Sequence, residues 1–186
     1  MKRYISRDLL EWTNSPERKP LVMKGVRQCG KTYILKEYGS ENYKDVAYFN
    51  FEETPSLADL FEQDFDVSRI LTELGIFRGK TIVPGVTLVI FDEIQECSKA
   101  LTSLKYFCEE APEYHVIAAG SLLGVAIHEG VSYPVGKVDL LHLYPLHFRE
   151  YLDAIGEEQL SAALATKDYK IIDSFADKYI YWLKNY

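Results

Sequence analysis

Gly25 and Gly30 bracket four residues and are followed at once by Lys31 and Thr32, so residues 25–32 read Gly-Val-Arg-Gln-Cys-Gly-Lys-Thr. This is the G-x-x-x-x-G-K-[ST] spacing, and its chemistry is the holding of a phosphate chain. Glycine at both ends lets the backbone wrap until the N–H groups of Gly25, Val26, Arg27, Gln28, Cys29 and Gly30 turn inward. The free donors and positive dipole end of a helix opening at Lys31, Thr32 and Tyr33 add to that cup. Lys31 is placed to reach the β- and γ-phosphates and the Thr32 hydroxyl to hold Mg²⁺. Arg27 either steers phosphates or, as an exposed loop residue, does nothing specific.

A second chemical feature lies about 60 residues on. Val86-Thr87-Leu88-Val89-Ile90-Phe91 is the clearest apolar run in the chain, and it stops on Asp92-Glu93. In open sheets of parallel strands, ligands gather at the carboxyl ends of the strands. Asp92 therefore belongs beside Thr32, holding Mg²⁺ directly or through water. Glu93 points differently and is the candidate to polarise a water that attacks the γ-phosphate. Ser121 ends the next apolar run; it reads either as a hydroxyl that touches the γ-phosphate or attacking water, or as the cap of a helix starting at Leu122.

These residues need elements to position them. Residues 4–12 carry apolar side chains at helical spacing, and residues 13–20 form a polar loop. Strands are expected over 21–24, 45–51, 86–91, 114–119 and 138–143. Helices are expected over 32–38 (ending near Gly39-Ser40), 55–61, 69–74 (capped by Asp66-Val67-Ser68), 98–110 and 145–155. Residues 75–85 read as a loop, 122–136 as a short helix with a hairpin turn, and 157–186 as helical throughout. Strands alternating with helices predict an α/β fold: a three-layer α-β-α sandwich with a mainly parallel central sheet and a helical C-terminal tail.

Bulk properties narrow the function classes. The 186 residues suit one domain of ordinary size and carry a net charge of −7, so nothing global draws the chain to nucleic acid or an anionic membrane, although a local basic patch stays open. Three cysteines, one inside the phosphate loop, argue against disulfides and for a reducing cytoplasm. The N-terminus lacks the apolar region of a secretory signal, and no run is long enough to span a membrane. The four histidines have no ligand spacing.

The stretch from Lys19 to Thr32 resembles the opening of the prokaryotic AAA-type ATP-binding proteins that carry a C-terminal DUF4143 domain. Phe91 to Cys97, Ala118 to Gly124, Pro134 to Val138 and Leu143 to Leu152 are similar to further stretches of that group. The resemblance implies an AAA+ P-loop ATPase core over 1–156, with 157–186 the start of a further domain and the chain a shortened form. It puts Lys31 and Thr32 in the Walker A role, Asp92 and Glu93 in Walker B, and Ser121 at the polar sensor. It also implies ATP rather than GTP. Gly136-Lys137 aligns where relatives often have Gly-Arg, which suggests a basic group sensing γ-phosphate charge within the chain or from a neighbour.

The leading expectation is thus a protein that binds and hydrolyses Mg-ATP as a switch for an attached domain, an unidentified protein partner or a homo-oligomer. A nucleotide-binding module with little turnover and a DNA-stimulated ATPase stand as alternatives. Kinase chemistry fits less well, because an acid directly after Asp92 suits water activation.

Overall fold

The computed structural model describes residues 3–121, 134 and 136–186. Five strands form one sheet: β1 Leu21–Lys24, β2 Asp45–Asn50, β3 Thr87–Asp92, β4 His115–Gly120 and β5 Asp139–His142. Their order is β2-β3-β4-β1-β5, with every pairing parallel. Parallel neighbours cannot be joined by a tight hairpin, so each connection recrosses the sheet and lays structure on its faces.

Both faces are covered. Leu21, Met23, Leu88, Ile90, Ile117 and Ala119 pack beneath α1 (Ile5–Asn14) and α2 (Lys31–Asn42), against side chains such as Leu9, Trp12 and Leu35. The alternate positions, Val22, Phe49, Val89, Phe91, Val116 and Ala118, pack beneath the 3-10 turn Pro55–Phe61, α3 (Val67–Arg78) and α4 (Ser98–Glu110). All six β3 residues are buried, which is why that strand read as a continuous apolar run. The α-β-α sandwich expected from the sequence is the observed fold.

Several boundaries differ for physical reasons. Helix α2 continues past Gly39, where a Cβ would come within 2.8 Å of Val46 Cγ2, so glycine there serves close packing rather than termination. Helix α3 runs through Gly75 to Arg78 and stops at Gly79, whose φ of 72° is left-handed. A further helix, α5 (Phe148–Ala154), starts later than Pro145, because His147 and Glu150 form a reciprocal capping box. The tail is three helices, α6 (Glu158–Thr166), α7 (Tyr169–Ser174) and α8 (Ala176–Asn185), not one. The first break falls at Lys167, with φ 55°, and Asp168 then caps α7 by accepting from the Ile171 N–H. The helix and hairpin expected over 122–136 fall almost wholly outside the described residues.

Candidate active site

The phosphate loop leaves the carboxyl end of β1 and enters α2. Gln28 and Gly30 adopt positive φ values of 64° and 92° on the way. Gly25 is required by crowding: a Cβ there would lie 2.5 Å from the Leu143 carbonyl oxygen and 2.9 Å from Cys29 Sγ. The Leu143 N–H donates back to Lys24 O at 2.7 Å, so the chain leaving β5 buttresses the loop. Lys31 is 5 % exposed, and its ammonium donates to the carbonyls of Gly25 and Val26 at 3.0 Å each. It stands folded onto the loop that it serves.

Strand β4 lies between β1 and β3, so the loop must arch over the end of β4 to meet Asp92. It does so: Thr32 Oγ1 donates to Asp92 Oδ2 at 2.6 Å. The same carboxylate oxygen accepts from the Tyr48 hydroxyl at 2.9 Å, and Oδ1 accepts from the Glu93 N–H at 3.0 Å. Burial pushes the Tyr48 hydroxyl well above its ordinary pKa, and the Asp92 carboxylate reinforces the shift. Asp92 is 1 % exposed, and all three of its donors are neutral. Among the described residues it forms no ion pair. A buried carboxylate without countercharge is costly, and oxygen donors of this kind suit a hard divalent cation. Thr32 and Asp92 would hold that cation. No cluster of three His, Cys, Asp or Glu exists among the described residues.

Glu93 sits at φ 50°, and its Oε2 accepts from Gln95 Nε2 at 2.6 Å. Gln95 Oε1 is buried without a partner among the described residues. Ser121 is half-buried directly after β4, at the edge the loop crosses, while the helix it was expected to cap lies outside the described residues. Not every expected residue converges. Tyr33 is 60 % exposed and donates to Glu37 Oε1 at 2.8 Å, so its side chain takes no part in the loop. Val26 is exposed, and Arg27 reaches Glu52 at 3.5 Å. Cys29, a free thiol, lies half-buried beside Leu143. Lys137 pairs with Glu109 at 2.8 Å, near the C-terminal end of α4 and just before β5 begins. That is the edge of the sheet opposite the loop, which rules out γ-phosphate sensing by Lys137 within the same chain.

Sequence reasoning missed Tyr48, Asn50 and Gln95. Asn50 stands opposite Asp92 in the β2–β3 register, so a search for polar residues closing the strand beside β3 would have flagged it, with Tyr48 two residues earlier in the strand. Gln95 gave no such signal.

A family model for an AAA domain, AAA_14, matches residues 17–152. No curated protein matches the chain. Among solved structures, it is similar to Drosophila ORC bound to DNA, at 15 % identity and a TM-score of 0.52, covering 90 % of this chain and 47 % of that one. AMPPCP-bound DnaA from Aquifex aeolicus is matched at 18 % identity and 0.48, covering 83 % and 48 %, and a point variant of Thermotoga maritima RuvB at 15 % and 0.49, covering 88 % and 50 %. The chain thus spans about half the length of the structures it matches. The Drosophila likeness speaks to the fold alone. Among the described residues no helix is long and apolar enough to cross a membrane.

Proposed function

The chain belongs to the AAA_14 family of AAA domains, and on that premise we propose that it binds ATP with Mg²⁺ at residues 25–33 and hydrolyses it, driving motion of an attached domain or partner. The observation that carries the reading is the 2.6 Å hydrogen bond from Thr32 to Asp92, which joins two motifs 60 residues apart at one sheet edge.

The loop N–H groups and the α2 terminus would receive the phosphates. Lys31 would exchange its two carbonyl partners for β- and γ-phosphate oxygens. Glu93 would take a proton from a water whose oxygen bonds to the γ-phosphorus, as the bond from that phosphorus to the β–γ bridging oxygen breaks and ADP departs with the charge. The cation held by Thr32 and Asp92 would supply Lewis-acid neutralisation of the phosphate charge. The α6–α8 segment, whose Leu160 and Tyr179 cluster with Leu152 of α5, is the proposed beginning of the moved part.

Mg²⁺-dependent phosphate release tests the reading. Lys31→Ala is expected to abolish nucleotide binding in a calorimetric titration, and Glu93→Gln to keep binding while slowing turnover roughly 10²–10⁴-fold. Normal ATP binding by Lys31→Ala would refute the site. A module with little turnover is the second reading, favoured by the Gln95 amide already engaging Glu93; binding without phosphate release would support it. Stimulation by DNA that fades steeply with salt would instead favour the third.

A further inference from the structure

Tyr48 is used by none of the steps above, yet it touches the central carboxylate. It lies on the edge strand β2 and donates to Asp92 Oδ2, the oxygen that also takes the Thr32 proton. Asn50 Nδ2 donates to the Tyr48 hydroxyl oxygen at 3.2 Å, which leaves the phenol's own proton for Asp92. Lys36 Nζ stands 3.6 Å from the Tyr48 ring centroid, and a cation over the ring draws electron density from the phenol and makes it a better donor. Lys36 follows Thr32 by one helical turn, so the same stripe of α2 supplies the Thr32 hydroxyl and the cation over Tyr48.

We infer that Tyr48 is a positioning residue for divalent-cation binding: it fixes the Asp92 carboxylate in one orientation against Thr32, so that the ion accompanying the nucleotide meets a preset oxygen. This rests on the reading that Thr32 and Asp92 hold that ion. A purely structural tether is unnecessary, because the β2–β3 backbone register already runs from Asp45 opposite Thr87 to Asn50 opposite Asp92. A donor to a carboxylate also withdraws charge and weakens it as a ligand. Orientation outweighs that loss here, because Asp92 is 1 % exposed and its two oxygens are directed by three fixed donors rather than by bulk water. Hydrogen-bond partners of metal-holding carboxylates typically change affinity roughly 10–100-fold when removed.

The test is Tyr48→Phe in the full chain, which keeps the ring and its contact with Lys36. Binding of a fluorescent ADP analogue is measured while Mg²⁺ is varied, and again in EDTA. The expected result is a Mg²⁺ half-saturation raised about 10-fold, with metal-free nucleotide affinity unchanged. Lys36→Met, which keeps the hydroxyl, should shift it the same way by about twofold. An unmoved half-saturation in Tyr48→Phe, or an equal loss in EDTA, overturns the inference. Asp92→Asn separates the levels. If it leaves Mg²⁺ dependence intact, the cation reading itself falls; if it removes the dependence while Tyr48→Phe does nothing, only the role of Tyr48 falls.

Discussion

Asp45 and Asp92 stand at opposite ends of the same strand pair and answer the burial of a carboxylate in opposite ways. In the β2–β3 register Asp45 lies across from Thr87, and Asp92 lies across from Asn50. Asp45 accepts from Arg78 at 2.8 Å, Lys80 at 2.7 Å and Thr87 at 3.0 Å. The Arg78 guanidinium holds its carboxyl far below the usual carboxylate range, against the opposing effect of burial. Its charge is answered inside the protein. Asp92 has as many donors, but all are neutral, and it is more deeply buried. The difference teaches that charge balance, rather than burial or hydrogen-bond count, sets the two ends apart: one carboxylate is answered by cations of the chain, and among the described residues the other is answered by neutral donors alone.

Exchanging each aspartate for asparagine breaks the comparison most forcefully. Asp92→Asn is expected to cut phosphate release by about 10²-fold or more, because a cation's contribution to transition-state charge is worth several kcal/mol. Its melting temperature in the absence of metal should stay close to the parent's. Asp45→Asn should leave turnover intact and lose about 2 kcal/mol of stability, since Arg78 keeps its burial and loses its partner. For a chain of this size that is roughly 4–8 °C. Equal melting shifts in the two variants would erase the distinction. Gly25→Ala comes next: its Cβ would strike a backbone oxygen that cannot swing aside, so nucleotide affinity should fall about tenfold or more as the loop is displaced, at a strain of about 1–3 kcal/mol.

How much of this was legible from the chain follows the same division. The phosphate loop and Asp92 were readable, because a phosphate cup demands particular residues at fixed spacing and β3 is buried on both faces. Tyr48 was not, because a tyrosine in a strand satisfies β-propensity whatever its hydroxyl does. The support of Gly25 by Leu143 joins residues far apart in sequence and leaves no local pattern. The end of α2 was misplaced because Gly39 breaks helices by propensity, yet here it admits Val46 and Leu88. The breaks in the tail depend on Lys167 adopting a left-handed conformation that its residue type does not announce.

A third group extends the closed end and gives it a pH signature. His115 opens β4, and its Nδ1 pairs with the Tyr43 hydroxyl at 2.6 Å; Thr13 Oγ1 in turn bonds the hydroxyls of Tyr43 and Tyr38. Burial pushes Tyr43 up to about 12, and burial, aided by Arg18, pushes His115 down to about 4. The unfolded histidine titrates near 6.5, so between pH 6.5 and 4 the unfolded chain binds the proton that the folded chain refuses. Stability is therefore fully present above pH 6.5 and drains away as pH falls from there to about 4. Asp45, with its depressed value, is protonated more readily in the unfolded chain, and its contribution is lost only below about pH 4. Melting curves of the parent should fall in two acid windows. His115→Gln should flatten the first, and Asp45→Asn the second.

The smallest expected effect marks where the comparison stops applying. Glu52 follows β2 at the Asp92 end of the sheet, and unlike Asp92 it has a cation, Arg27 of the phosphate loop, at 3.5 Å. If a countercharge alone made a staple, this pair would behave like Asp45 and Arg78. Its side chains are 77 % and 58 % exposed, however, so water and salt answer both charges about as well as the partner does. Glu52→Gln and Arg27→Ala should each move the melting temperature by less than about 2 °C, an effect below about 0.5 kcal/mol. Any loss of nucleotide affinity in Arg27→Ala should vanish as salt is raised, because only long-range attraction to phosphate is then removed. A melting shift as large as that of Asp45→Asn would mean that pairing acts without burial, and Asp92 could no longer be singled out by its neutral donors.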